Sequence, residues 1–188
     1  MKLILGSKSP RRREILSMVT TDFEVRVSDC DESYESDTPL WEVPRILAER
    51  KAMAIDLGEN DVVIGCDTVV IYENNLLGKP RDKAEAIKML ELLNGTTHQV
   101  ISGICVRTRE KCYSEAVCTN VTFRTLEKDE IEGYVERCNP VDKAGAYGIQ
   151  EAAGAFVEKI EGDFYNVVGL PLCRLCEILK EQTGINLL

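Results

Sequence analysis

Asp67 is the residue whose position most needs a chemical reason. It interrupts the apolar run "DVVIGCDTVVIY" and is followed by Thr68. A carboxylate inside such a strand needs a partner or a metal. At a strand end facing a cleft it serves as a general base or as a ligand for Mg2+, whereas at a strand break it only caps a turn. A second feature is "LGSKSPRRREIL" at residues 5–16. Ser9 and Pro10 suit the cap and first position of a helix, and Glu14 complements the helix dipole. Arg11, Arg12 and Arg13 oppose that dipole, so they cost stability unless an anion sits beside them. Removing Arg12 is therefore expected to leave the unliganded protein as stable as before, or slightly more so. A helix N-terminus also offers free backbone N–H groups, which makes it a site for phosphate, and "LILGS" supplies the strand and tight turn ahead of it. Neither a Walker motif nor G-x-G-x-x-G is present.

Three further segments carry spare charge. Lys79 sits in the Gly-Lys-Pro turn of "LLGKPRD", and "LAERKA" brings both Arg50 and Lys51 near an apolar helical seam without choosing between them. Glu32 lies in the acidic stretch "DCDESYESD", which alone implies only solubility. A phosphate cradle, acidic residues and spare lysines together suit metal-assisted attack on a polyphosphate. With one histidine, His98, a His-based triad or multi-histidine metal site has little to build on, and His98 reads as structural or peripheral. "CRLC" at 173–176 has metal or redox spacing but no second Cys/His pair, so it reads as core.

The elements that must position these groups follow from patterning. "KLILG" reads as a buried strand leading into the helix at Pro10, and "FEVRVS" alternates as a strand. Thr38 is expected to cap a long helix reaching about Leu57, with Pro44 interrupting its early part. "DKAEAIKMLELLNG" has Asp82 as N-cap, Glu85 three residues on and Gly95 past the end. Residues 99–124 are strand-rich and 127–137 helical. "DKAGAYGIQEAAGA" reads as a functional loop; "AFVEKI" and "YNVVG", around "EGD", read as a hairpin. Pro171 opens a last helix that ends near Gly184. Strands and helices intermix, which predicts an α/β fold on a mixed sheet.

A chain of 188 residues reads as one domain, 1–188. Its net charge of −9 argues against a general nucleic-acid or anionic-membrane binder. No apolar stretch approaches the ~20 residues of a membrane span, and "MKLILGSKS" does not read as a signal peptide, so a cytoplasmic protein is expected. The eight cysteines are then expected to be reduced thiols.

"GSKSPRRREIL", "DE" at 31–32, "ERKA", "GCDTVV", "GKPRD", "THQV", "DKAGAYGIQ" and "GDFYNVVGLPL" stand in the order seen in the Maf family of nucleoside triphosphate pyrophosphatases. The resemblance runs from Leu3 to Leu179. It implies an elongated α/β fold of the Maf/ITPase-like kind, with a central mixed twisted sheet flanked by helices, two lobes around a deep cleft, and often a homodimer. It assigns Ser7, Arg11 and Arg12 to the triphosphate, gives Asp67 the proton-acceptor role, and makes Glu32 its acidic partner in holding a divalent metal, Mg2+ or Mn2+. Lys51 and Lys79 match the family's cleft lysines; Arg11, Thr68 and Gln150 match its specificity positions. "DKAGAYGIQ" is similar to the branch acting on dTTP and UTP, with removal of non-canonical nucleotides as an associated role. The rival expectations are an enzyme for 7-methyl-GTP or another modified nucleotide, and a nucleotide-binding regulator of cell division. Cys66 stands where alanine is usual, and "LNGTTH" where "LSG" is common; both are mild changes. Glu151 stands where a glycine commonly follows the glutamine, which places a carboxylate near the expected base pocket, where it would accept from the amine of cytosine if it reached the base.

Overall fold

The computed structural model describes residues 2–27 and 29–188. Its seven strands form one mixed sheet: β1 (Lys2–Leu5), β2 (Glu24–Val25), β3 (Asp61–Tyr72), β4 (Asn75–Leu77), β5 (Thr97–Arg107), β6 (Cys112–Phe123) and β7 (Val157–Glu161). The order is β2-β1-β3-β5-β6-β7, with β4 pairing β3. β1 runs parallel to both its neighbours, and all other pairings are antiparallel. The helices are α1 (Pro10–Ser17), α2 (Val43–Met53), α3 (Lys83–Leu93), α4 (Lys128–Cys138), α5 (Phe164–Val168) and α6 (Leu172–Thr183). The expected mixed α/β sheet flanked by helices is the observed architecture.

The two largest of four apolar clusters among the described residues share the long strands. One gathers Leu5, Ile15, Leu16, Ile64, Ile104, Ile178 and neighbours beneath α1 and α6. The other gathers Val70, Leu90, Val121, Phe123, Tyr134 and Phe156 beneath α3 and α4. β3 serves both, Ile64 and Cys66 in the first and Val70 in the second, so Asp67 and Thr68 fall at the join.

Local chemistry explains most boundaries. At α1, Ser9 caps by accepting from Arg12 N, and Pro10 occupies the first turn. At α3, Asp82 accepts from Glu85 N at 2.8 Å. Four expectations need correction. Thr38 does not cap α2: Pro39–Glu42 form turns, and the helix starts at Val43 with Pro44 in its first turn, where a missing N–H costs nothing. It stops at Met53 because the Arg107 guanidinium donates to the carbonyls of Ala52, Met53 and Ile55. The strand expected over 23–28 is only Glu24–Val25, and Ser28 lies outside the described residues. The second arm of the expected hairpin is α5: Asp163 accepts from Tyr165 N at 2.7 Å, and Asn166 is buried, donating to Val100 O and Thr119 Oγ1. Tertiary partners for one asparagine outweigh the β-branched pattern. "CRLC" is not core, since α6 buries Leu175, Ile178 and Leu179 while Cys173 is exposed. No helix among the described residues is long and apolar enough to cross a membrane.

Candidate active site

A gap in the sheet makes the site. β1 stops pairing β3 at Leu5–Ile64, and β4 begins at Leu77–Val70. Between these points no described strand covers that edge of β3, so Asp67 and Thr68, which point to opposite faces, both reach one cavity. The cleft holds about 590 Å³, within the range of small-molecule sites. Residues 6–12 line it on one side, and Asp142, Lys143, Tyr147 and Gln150 on the other.

Arg12 is held from three directions. Its Nε donates to Gly169 O at 2.9 Å, one terminal nitrogen to Ser7 Oγ at 3.0 Å, and the other to Thr68 Oγ1 at 3.1 Å. Thr68 Oγ1 also lies 2.8 Å from Ser102 Oγ. All these partners are neutral, and no carboxylate pairs with Arg12 among the described residues. A half-buried guanidinium is thus fixed in direction with its charge uncompensated, the condition for taking an anion. The expectation that losing Arg12 leaves stability unchanged is superseded. The dipole penalty is real, but Arg12 ties α1 to β3 and to the end of α5. Arg13 is exposed and makes no side-chain hydrogen bond among the described residues.

Across the cleft, Lys51 Nζ lies 2.5 Å from Asp67 Oδ1 and 3.0 Å from Glu32 Oε1. The reason is close packing of α2. A Cβ at Gly65 would overlap the Ala48 carbonyl and one at Gly103 the Pro44 carbonyl, so only glycines let the helix lie this near β3 and β5. Burial alone would lower the Lys51 pKa, but Asp67 and Glu32 more than offset it and hold the ammonium above its ordinary range. The hydrogen bond from Lys51 holds the Glu32 carboxyl below the usual range, against partial burial. Arg50, which periodicity did not separate from Lys51, points elsewhere. It donates to the carbonyls of Asp31 and Ser33 and so straps the acidic loop over α2. Lys79 lines the cleft from an exposed turn and forms no ion pair among the described residues.

The glycine-rich loop forms the far wall as short 3-10 turns at Pro140–Asp142, Ala144–Ala146 and Ala152–Phe156. Ala146 takes a left-handed φ of 62°, an uncommon conformation for a residue with a side chain, and the loop turns Tyr147 inward. The Tyr147 hydroxyl lies 2.8 Å from His98 Nε2, so the histidine is a buried structural residue of β5 rather than a peripheral one. Burial lowers its pKa to about 4. Lys143, buried, pairs with Asp142 at 2.8 Å and Glu151 at 3.4 Å. Asp142 also pairs with Arg11 at 3.1 Å, so Arg11 faces a carboxylate where Arg12 does not. Burial would raise the Asp142 pKa, but hydrogen bonds from Lys143 and Arg11 leave it lowered. Gln150 lines the cleft, whereas Glu151 does not; its carboxylate is taken up by Lys143 and the Gln150 amide.

Every site residue expected from the sequence therefore borders this cleft: Ser7, Arg11, Arg12, Glu32, Lys51, Asp67, Thr68, Lys79 and Gln150. Sequence reasoning missed Lys143, Asp142, Ser102 and the Gly169 carbonyl. The Asp-Lys pair at the head of the glycine-spaced segment was the one available signal; a main-chain acceptor gives none. Cys66 packs under the same turn, its Sγ 3.2 Å from Gly169 O.

The chain is similar to known proteins over nearly its whole length. Residues 2–182 match the family model described as "Maf-like protein". A dTTP/UTP pyrophosphatase of Clostridium novyi is 45% identical over 192 residues, covering 100% of both chains. The protein of the same name from Bacillus cytotoxicus is 44% identical, covering 96% of this chain and 95% of its own. That of Thermosipho africanus is 44% identical, covering 99% and 96%. Among solved structures, the Ham1 protein of Staphylococcus aureus matches at a TM-score of 0.46 and 16% identity, covering 65% of this chain and 72% of its own. The family model spans both walls of the cleft and nearly the whole sequence, and on that basis the chain belongs to the Maf family.

Proposed function

We propose that this protein hydrolyses nucleoside triphosphates, dTTP and UTP before others, to the nucleoside monophosphate and pyrophosphate. The observation that carries the reading is the pairing of two unlike stations in one cleft. Arg12 is an oriented cation with no counter-ion among the described residues, and Asp67 is a carboxylate held beside an ammonium. The family relatives named for dTTP and UTP support the substrate.

In this reading the triphosphate lies along the N-terminus of α1. Its oxygens take hydrogen bonds from Ser7, Arg12 and Lys79, and Arg11 joins them by leaving Asp142. Lys51 exchanges carboxylate for phosphate as the substrate enters, which frees Asp67 to accept a proton from a water molecule. That water attacks the α-phosphorus, the bond to the bridging oxygen of the β-phosphate breaks, and pyrophosphate departs with the charge stabilised by the same cations. A divalent cation, Mg2+ or Mn2+, belongs to the proposal. Glu32 and Asp67 converge on one ammonium, so these two carboxylates would hold a small divalent cation in its place. When bound, it supplies charge neutralisation on the triphosphate.

The test is product analysis on the purified protein with Mg2+ and a panel of dTTP, UTP, CTP, ATP, GTP and 7-methyl-GTP. Equal yields of monophosphate and pyrophosphate, fastest from dTTP and UTP, are expected. Release of inorganic phosphate and diphosphate nucleotide instead would overturn the reaction; 7-methyl-GTP as best substrate would overturn the preference.

A further inference from the structure

We propose that Glu151 is a positioning residue that fixes the hand of the Gln150 amide and thereby separates uracil-type from cytosine-type bases. The inference rests on the proposed function and adds a determinant to it. Gln150 borders the cleft, and its Nε2 donates to Glu151 Oε1 at 3.4 Å. The other carboxylate oxygen lies 3.4 Å from Lys143 Nζ, which is itself held by Asp142 at 2.8 Å. Gly148 leaves room for this pair, since a Cβ there would stand 3.0 Å from Lys143 Cε and 3.2 Å from the Glu151 carboxyl carbon. Glu151 is thus anchored by a buried lysine and stays outside the cleft.

The consequence follows from donor and acceptor inventories. An ionised carboxylate only accepts, so the amide carbonyl of Gln150 cannot face Glu151 without setting acceptor against acceptor. One N–H is spent on Glu151; the carbonyl and the second N–H remain for the base. Uracil and thymine present an N3–H donor beside an O4 acceptor. The amide matches that edge by accepting from N3–H and donating to O4. Cytosine presents an acceptor at N3 and an amine at C4, and matches only after the amide turns over. A freely rotating glutamine would serve both; one held by Glu151 serves the first and leaves unpaired groups against the second. The carboxylate near the base pocket therefore narrows the choice of pyrimidine instead of widening it.

The experiment compares kcat and KM for UTP and CTP, by pyrophosphate release, in wild type, Glu151→Ala and Glu151→Gln, with thermal melts of each. The wild type is expected to prefer UTP. Glu151→Ala should narrow that preference about tenfold, the scale of one hydrogen bond. The change should appear in KM, with kcat for UTP within about threefold of wild type. Glu151→Gln presents a donor as well as an acceptor to the Gln150 amide, so it no longer fixes the hand and should lose the preference as the alanine variant does. Because the side chain is on the surface, melting temperatures should stay close together, and Glu151→Ser serves if the alanine variant melts early. An unchanged UTP-to-CTP ratio in Glu151→Ala overturns the inference alone. So does an equal KM change for both nucleotides, or a Glu151→Gln protein that keeps the wild-type preference. A wild type that turns over no nucleoside triphosphate overturns the proposed function, and this inference with it.

Discussion

Two lysines line the cleft, and each bridges two carboxylates. Lys51 lies between Asp67 and Glu32, Lys143 between Asp142 and Glu151. The resemblance ends with their supports. Lys51 stands on α2, which packs through Gly65 and Gly103 directly onto the central strands, and Asp67 belongs to one of those strands. Lys143 and both its partners belong to a single loop of 3-10 turns. A reacting carboxylate must be held within a fraction of an ångström, which helix and strand provide; a base-recognition wall tolerates and uses the adaptability of a loop. The difference assigns chemistry to the Lys51 side and selectivity to the Lys143 side, and four measurements test that division.

The largest effect is expected at Asp67. Asp67→Asn keeps shape and removes proton acceptance, so kcat should fall by about 10²–10⁴-fold while the protein stays folded and binds nucleotide. Turnover within a few-fold of wild type would move the chemistry away from this side of the cleft.

Arg12 comes next, because it joins the two stations through Thr68. Arg12→Ala should lower kcat/KM roughly 100-fold, the loss of a hydrogen bond to a charged phosphate worth about 2–3 kcal/mol. It should also cost about 1–2 kcal/mol of unliganded stability, since Ser7, Thr68 and Gly169 lose their donor. Arg13→Ala is the control, with both quantities near wild type. Equal damage at the two positions would mean that the basic cluster acts only as a general charge.

A pair of methionine substitutions compares the lysines directly. Lys51→Met leaves Asp67 and Glu32 facing one another without a cation. Breaking a fully buried pair costs about 3–5 kcal/mol, and discounting for the exposure of Glu32 leaves roughly 2–3 kcal/mol at neutral pH. Both partners of Lys143 are well exposed, so Lys143→Met should cost no more than about 1 kcal/mol. Denaturant melts of the two variants decide; equal costs would erase the structural contrast between strand and loop.

The last measurement concerns what steadies the loop. The free imidazole titrates near 6.5, whereas buried His98 titrates at about 4. Below pH 6.5 the unfolded chain takes up a proton that the folded chain refuses until about pH 4. Its contribution to stability is therefore complete above pH 6.5 and is lost as pH falls, by about 2 kcal/mol between pH 7 and pH 5. His98→Gln should flatten that part of the pH–stability profile. Parallel profiles for the two proteins would remove His98 as the acid-sensitive support of Tyr147.

Sequence and tertiary structure contributed different parts. Caps and periodicity are short-range, so Ser9–Pro10, Asp82 with Glu85, and the start of α6 after Pro171 could be read from neighbouring residues alone. Asp67 announced itself by solvation: a carboxylate in a β-branched run requires a partner whatever the fold. The motifs shared with the Maf family then pointed to Ser7, Arg11, Arg12, Glu32, Lys51, Thr68, Lys79 and Gln150. What lay beyond the sequence depends on contacts between residues far apart in the chain. Arg50 and Lys51 are neighbours on one helix, and only the strapped acidic loop and the approach of β3 sent one to backbone carbonyls and the other to Asp67. Asn166 turned an apparent strand into α5 because Val100 and Thr119 await its amide, and α5 in turn carries the Gly169 carbonyl that aims Arg12. The expected stability role of Arg12 changes for the same reason. The helix dipole is a property of eight consecutive residues, whereas the three acceptors that outweigh it lie on β3, on the turn after β1 and at the end of α5. Residue types and spacing determined which groups are available for chemistry; the sheet's uncovered edge beside Asp67 decided which of them meet.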